Sequence, residues 1–187
     1  MRAVIQRVKK ANVRVDGKIT GKIQQGLCVF LAVSPTDTDK EVAWMAEKIA
    51  FLRIFEDENA KMNLSIQDIK GSVLAISQFT LYGDCGKGRR PSFVQAGAPS
   101  MAKRLYTQFT KAFDAWHIPV QTGIFQADMQ VELINDGPAT FIVDTPNTAP
   151  VPTTERNEKA QNKFDKEAAL LRRNLQLRKQ QQEAKNG

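Results

Sequence analysis

The sequence predicts an α+β fold, a curled, mostly antiparallel β-sheet or roll with two main helices on its outside. Three observations carry that prediction. Leu27 to Val33 is an unbroken apolar run of strand length, rich in β-branched and aromatic residues, as in a strand buried on both faces. Phe125, Ala127, Met129, Val131 and Leu133 alternate with Gln126, Asp128, Gln130 and Glu132, which is the period of a half-buried strand. Two other segments repeat their apolar residues at the three-to-four spacing of an amphipathic helix.

Taken in order, Ala3 to Val8 alternates weakly and reads as a strand. Val13-Arg14-Val15 and Lys18-Ile19-Thr20 flank Asp16-Gly17, a dipeptide that favours a tight hairpin turn. After the Leu27 run, Thr38-Asp39-Lys40-Glu41 has the form of a capping box. Val42, Met45, Ala46, Ile49 and Ala50 follow at helical spacing, so a helix is expected from about Asp39 to Leu52. Arg53-Ile54-Phe55 and Met62-Asn63-Leu64 read as a short hairpin around a polar turn. Gly71-Ser72 then opens Val73 to Ile76, a buried strand that delivers Ser77-Gln78-Phe79-Thr80-Leu81 at its end.

Tyr82 to Ser92 is a loop by composition, broken by Gly83, Gly86, Gly88 and Pro91 and charged by Lys87, Arg89 and Arg90. A phosphate-contacting loop and a solvated surface loop are both open readings of it. Met101, Ala102, Leu105, Phe109, Ala112, Phe113 and Trp116 mark a second helix, with Ser100 as its expected cap. The alternating strand leads into Asn135-Asp136-Gly137-Pro138-Ala139-Thr140, after which Phe141-Ile142-Val143 resumes a strand. Pro, Thr and Asn then mark a linker from Pro146 to Thr154. Beyond it Ala160, Phe164, Ala168, Leu171 and Leu175 draw a narrow apolar stripe on a basic segment, which reads as a docking helix, an RNA-binding helix or a helix that frays in water. The division is a body of residues 1–145 and a basic extension of residues 146–187.

The composition narrows the chemistry. The chain has 187 residues, enough for one sizeable core, and no run of about eighteen apolar residues to span a bilayer, so a soluble, cytoplasmic protein is expected. Cys28 and Cys85 stand in no metal-ligand spacing and suggest no disulfide framework. His117 is the single histidine and precedes Ile118-Pro119, where it reads as a helix-end residue. Serine-histidine and histidine-rich metal chemistry therefore has little to build on, and no metal or cofactor is expected. The net charge is +7, with 9 Lys/Arg against 5 Asp/Glu in residues 151–187 and 18 against 15 before them. That balance favours a polyanionic partner.

Several stretches in one order then resemble a known family. Ile5-Gln6-Arg7-Val8, Gly71-Ser72-Val73-Leu74 running into Ser77-Gln78-Phe79-Thr80-Leu81, Arg90-Pro91-Ser92-Phe93, Gln121-Thr122-Gly123, Ala127-Asp128-Met129 and Asn135-Asp136-Gly137-Pro138 with Thr140 together look like D-aminoacyl-tRNA deacylase. The resemblance covers about residues 1 to 145. It implies a homodimeric editing esterase that cleaves the ester joining a D-amino acid, or glycine, to the 3′-terminal adenosine of tRNA, with an active site at the subunit interface. It implies further that Gly137 and Pro138, joined by a cis peptide, enter the partner's site and crowd the space an L side chain would need.

By the same carry-over, Ser77, Gln78, Phe79 and Thr80 form the catalytic stretch. Arg7, Met129, Asn135 and Thr140 support it, and Lys87, Arg89 and Arg90 contact tRNA. Two mechanisms are open: the RNA's terminal 2′-hydroxyl assists water while main-chain N–H groups around Gln78 and Phe79 hold the oxyanion, or Thr80 is the nucleophile. The first is favoured, because no base stands beside Thr80 in the motif. Thr80 and Ser77 also read as strand-end hydroxyls, Gln78 as a backbone-satisfying amide, Phe79 and Met129 as core, and Arg7 as an exposed strand residue. A non-catalytic RNA-binding module and an amide hydrolase of free D-amino-acid derivatives are the alternatives.

Overall fold

The computed structural model describes residues 1–86 and 88–146. Lys87 and the extension from 147 onward lie outside the described residues. The chain runs β1 (Arg2–Val15), β2 (Lys18–Ile23), β3 (Gly26–Ala32), α1 (Asp39–Ala50), β4 (Phe55–Glu56), β5 (Met62–Leu64), β6 (Ser72–Ser77), α2 (Pro99–Ala112), β7 (Val120–Thr122) and β8 (Gln130–Asp144). Short 3-10 turns stand at Phe79–Tyr82 and Phe113–Trp116.

The two expected strands before and at Asp16-Gly17 are one, because β1 is a single ribbon of 14 residues. It organises the sheet. β8 follows one of its edges from Arg2 to Arg14, while β3 pairs with its first half and β2 with its second. The path continues β3–β6–β7, and both of those pairings are parallel. The main sheet has three antiparallel and two parallel pairings, so the antiparallel pairings expected predominate and the parallel steps are an addition to them. The parallel steps are made possible by helices that cross between the strands, as parallel neighbours require.

The sheet curls until β2 and β7 nearly meet. A Cβ added at Gly21 would stand 2.6 Å from the Thr122 carbonyl oxygen, so only glycine lets the two strands approach. The curl encloses one apolar cluster of Val8, Ala11, Val13, Ile23, Cys28, Leu74 and Ile76. Cys28 is one of its members, and burial pushes its thiol up to about 12. The outer face carries the larger cluster, in which Ile5, Leu27 and Val29 of the sheet meet Met45 and Ile49 of α1 and Phe109 of α2. Fully buried side chains of this size each stabilise by roughly 1.5–3 kcal/mol.

Local chemistry sets the helix ends. The Thr38 hydroxyl accepts the Lys40 N–H at 3.3 Å, and the Glu41 carboxylate accepts the Thr38 N–H at 2.6 Å, which closes the expected capping box. α2 is not capped by Ser100. Its cap position is Ala98 and Pro99 opens the first turn, where a residue without an N–H leaves no donor to satisfy. At the far end of the sheet the buried α-ammonium of Met1 donates to Asp37 and to Thr145, both at 2.6 Å. Asp37 also accepts the Ser34 N–H, so β1, β8 and the loop before α1 share one polar anchor.

The largest difference lies between β7 and β8. The alternating run from Phe125 does not begin a strand, for β8 starts only at Gln130. Residues 125–129 form a turn, with the Ala127 N–H bonded to the Ile124 carbonyl at 3.2 Å and Gln126 in the left-handed region at φ 65°. Gly123 explains the tight seat, because a Cβ there would collide with the Met129 sulfur.

Candidate active site

The end of β6 positions the first site residues. Ser77 is the last residue of the strand and is paired with Leu31 of β3. The chain then leaves the sheet, and Phe79 to Tyr82 wind into a 3-10 turn. Ser77 and Gln78 are half-buried, while Phe79 is 58% exposed. Thr80 is exposed as well, and its hydroxyl accepts a hydrogen bond from the Gln78 side-chain amide. No carboxylate, lysine or histidine is bonded to Thr80 among the described residues.

Main-chain donors are distributed differently from the sequence expectation. The Gln78 N–H donates to the Leu31 carbonyl at 2.8 Å, which extends the β3–β6 ladder by one bond. It is therefore spent. The N–H groups of Phe79 and Thr80 begin the 3-10 turn, where the first donors of a helical turn have no partner inside it, and none meets them among the described residues.

A cavity of about 730 Å3 opens beside Phe79, while Thr80 does not line it. Its walls are mainly apolar and include Phe79, Phe93, Tyr106, Phe125 and Met129, with the small residues Ala96 to Ala98 along one side. Phe79 and Phe93 meet edge to face with centroids 5.1 Å apart. Tyr106 is fixed by donating its hydroxyl to the Ala75 carbonyl at 2.8 Å, and burial raises its phenol above the ordinary range. Ser77, Gln78 and Met129 line the cavity as well, so four of the expected residues converge there with Phe79 counted. Phe93, Tyr106, Phe125, Gln126 and Asp128 were not named as site residues from the sequence. Phe125 and Asp128 were hidden because an alternating pattern reads as strand unless Gly123 is recognised as a close approach.

A second cluster forms around Gly137-Pro138, whose peptide bond is cis. Asn135 brackets the turn: its side-chain amide donates to the Ala139 carbonyl at 3.2 Å and its carbonyl accepts the Ala139 N–H at 2.7 Å. Thr140 Oγ1 accepts from Gln6 at 3.2 Å and from Asn135 at 3.3 Å. Arg7 is 5% exposed and is no surface residue. It donates to the carbonyls of Asp136 at 2.9 Å and Ile54 at 2.7 Å, and pairs with Glu56 at 3.4 Å. A Cβ on Gly137 would lie 2.7 Å from the Arg7 guanidinium, and Gly137 has φ 135°, so this position demands glycine twice over.

The two clusters do not meet within one chain. From Ser77 the ladder passes through Leu31 and Ala3 to Val143 on β8, three strand steps and about 14 Å, and Gly137 lies six residues further, about 20 Å along the strand. None of Arg7, Asn135, Gly137, Pro138 or Thr140 lines the cavity. Arg89 and Arg90 stand exposed on the loop after the 3-10 turn and do not line it either. Asp84 and Ser92 bridge the base of that loop. Among the described residues no group of three or more His, Cys, Asp or Glu is placed to hold a metal ion, and no helix is long and apolar enough to cross a membrane.

Known proteins share this arrangement of sequence and fold. D-aminoacyl-tRNA deacylase of Geobacter sulfurreducens is 57% identical over 145 residues, which are 78% of this chain and 95% of that protein. The protein of the same name from Desulfotalea psychrophila is 59% identical over 145 residues, covering 78% and 97%. A solved structure of a c-Myc DNA unwinding element binding protein superposes with a TM-score of 0.74 at 39% identity, covering 78% of this chain and 99% of that one. A probable eukaryotic D-amino acid tRNA deacylase shares the fold alone, at 18% identity and a TM-score of 0.67 over 77% of this chain. A model of the D-Tyr-tRNA(Tyr) deacylase family matches residues 4–144, the whole of the described sheet but Arg2 and Ala3 at the start of β1. With identity this high across nearly the full length of its relatives, the chain belongs to the D-Tyr-tRNA(Tyr) deacylase family.

Proposed function

We propose that this chain is a D-aminoacyl-tRNA deacylase, an esterase that frees the amino acid from the 3′ end of tRNA. The observation that carries the reading is the apolar cavity of about 730 Å3 lined by Phe79, whose N–H is unpaired among the described residues, in a chain whose relatives bear that name. Water adds to the ester carbonyl carbon, the carbonyl oxygen takes the negative charge, and collapse expels the 3′-oxygen of the terminal ribose, which takes a proton. The N–H groups of Phe79 and Thr80 are the donors for that oxyanion, in place of the expected Gln78 N–H. Removing one such donor typically costs about 100- to 1,000-fold in rate.

Thr80 is not the nucleophile, since nothing bonded to it can take its proton. The terminal 2′-hydroxyl of the substrate assists the attacking water instead. The distance between Gly137-Pro138 and the cavity fits a site completed by a second subunit. In that homodimer, Gly137 and Pro138 of the partner close the pocket on the side where an L side chain would project, which admits D-amino acids and glycine. Arg7, Asn135 and Thr140 hold the intruding turn, Met129 walls the pocket, and Lys87, Arg89 and Arg90 meet the tRNA backbone. The reaction belongs in the cytoplasm, where tRNA is charged.

The test is hydrolysis of D-tyrosyl-tRNA and L-tyrosyl-tRNA by the purified protein, with EDTA present and with Thr80→Ala alongside. The expected result is loss of the D ester alone, retained by Thr80→Ala, and abolished for D-tyrosyl-tRNA ending in a 2′-deoxyadenosine. Cleavage of both enantiomers sinks the chiral filter. A second reading, a non-catalytic nucleic-acid-binding module, is favoured by the DNA-binding name of one solved relative. Binding of tRNA without turnover of either ester would establish it.

A further inference from the structure

The 3-10 turn of Phe79–Tyr82 is tied down from the paired ends of β1 and β8. Within the turn the Leu81 N–H donates to the Gln78 carbonyl at 3.2 Å, and the Gly83 N–H to the Thr80 carbonyl at 2.9 Å. The Leu81 carbonyl would next be met by the Asp84 N–H, but that group donates to the Ser92 carbonyl at 2.8 Å, across the base of the following loop. Arg2 takes its place, with Nη1 donating to the Leu81 carbonyl at 3.2 Å. The guanidinium also stands 5.5 Å from the ring centre of Tyr82, which is buried.

Arg2 is itself aimed by Asp144, the residue opposite it on β8. Nε donates to Oδ1 at 2.8 Å and Nη2 to Oδ2 at 3.3 Å, a two-pronged pair that fixes the plane of the guanidinium and leaves Nη1 facing the turn. The two side chains are 40% and 39% exposed, so the pair by itself adds little to stability. What it fixes is a direction. Resting on the esterase reading, we propose that Arg2 and Asp144 are positioning residues for ester cleavage. They hold the far end of the turn, and with it the angle at which the Phe79 and Thr80 N–H groups meet the oxyanion. A misplacement of about 1 Å at a reacting centre costs up to about 100-fold in rate, so a clamp worth little to the fold is worth much to the reaction.

The test measures kcat and KM for D-tyrosyl-tRNA, with thermal unfolding alongside, on the wild-type chain, Arg2→Ala, Arg2→Lys, Asp144→Asn and the double variant Arg2→Ala/Asp144→Asn. Arg104→Ala, which removes another exposed ion pair, that with Asp39, is the control. Arg2→Ala is expected to lower kcat by about 10- to 100-fold with KM within about twofold, while unfolding near the wild-type temperature. Arg2→Lys recovers part of the loss and Asp144→Asn loses less than Arg2→Ala. The double variant is no slower than Arg2→Ala, because the carboxylate acts through the guanidinium. Arg104→Ala keeps kcat within about twofold of wild type. An unchanged kcat in Arg2→Ala, or an equal loss in Arg104→Ala, overturns the inference alone. A loss confined to KM that weakens as salt is raised also overturns it, by placing Arg2 on the tRNA backbone. A wild-type chain that does not cleave the ester overturns the esterase reading, and the inference falls with it.

Discussion

Gly137 shows how a single position binds backbone and side chain together. Its φ of 135° lies where L residues are strained, and the space a Cβ needs is taken by the Arg7 guanidinium at 2.7 Å. Gly137→Ala is expected to destabilise the fold by roughly 1–3 kcal/mol, read as a lower urea midpoint at unchanged m-value. Arg7→Ala costs more than a surface substitution, since it leaves the Asp136 and Ile54 carbonyls without their donor. The resemblance made Ser77, Gln78, Phe79 and Met129 legible as members of one site, the first three on a stretch at a strand end and Met129 on the separate stretch Ala127-Asp128-Met129. It could not reveal that the Gln78 N–H is consumed by Leu31, since that depends on how far the β3–β6 ladder extends. Nor did it expose Arg7 as buried, because a charged residue in an alternating strand ordinarily faces water.

Helices and turns differed in how openly they announced themselves. α1 was readable to within two residues, since Thr38 and Glu41 mark its start and the apolar spacing marks its face. Thr38→Ala is expected to cost about 1 kcal/mol in thermal unfolding. The hydrogen bond from Thr38 holds the Glu41 carboxyl below its ordinary value of 4.5. A carboxyl depressed in the folded state stabilises fully above its unfolded value and loses that contribution as pH falls through the folded one. The difference between wild type and Thr38→Ala should therefore narrow below about pH 4. The segment from Phe125 to Met129 was misread because alternation is a necessary sign of a strand and no sufficient one. What decides there is the close approach of Gly123 to the Met129 side chain later in the same turn, which the alternation of apolar and polar residues does not register.

For the molecule as a whole, the proposed dimer makes a sharp demand on β8. That strand pairs with β1 on one edge, and Ile142 on it is 70% exposed. Ile142→Asp should shift the protein to monomer in sedimentation equilibrium and reduce D-aminoacyl-tRNA hydrolysis in parallel; a monomer with full activity would refute the shared site. The anchor at Met1 bears on the same sheet. Asp37→Ala is expected to cost about 3–5 kcal/mol, because it leaves a buried ammonium without its anion. Residues 150–187 carry an excess of positive charge, so their deletion should flatten the dependence of tRNA affinity on salt concentration. The curled sheet and its two helices were foreseeable from periodicity. The parallel steps to β6 and β7 were not, since strand order is set by how helices pack across the sheet rather than by any one segment.

The near meeting of β2 and β7 at Gly21 and Thr122 leaves the curl with a seam that no ladder of hydrogen bonds closes. Amides along β2 and β7 should therefore exchange with deuterium sooner than those of β1 and β3, through an opening smaller than global unfolding. Since Thr122 leads directly to Gly123 and the turn that walls the cavity, such an opening would start next to the pocket itself, and early exchange at Gln121 and Thr122 is the expected sign of it.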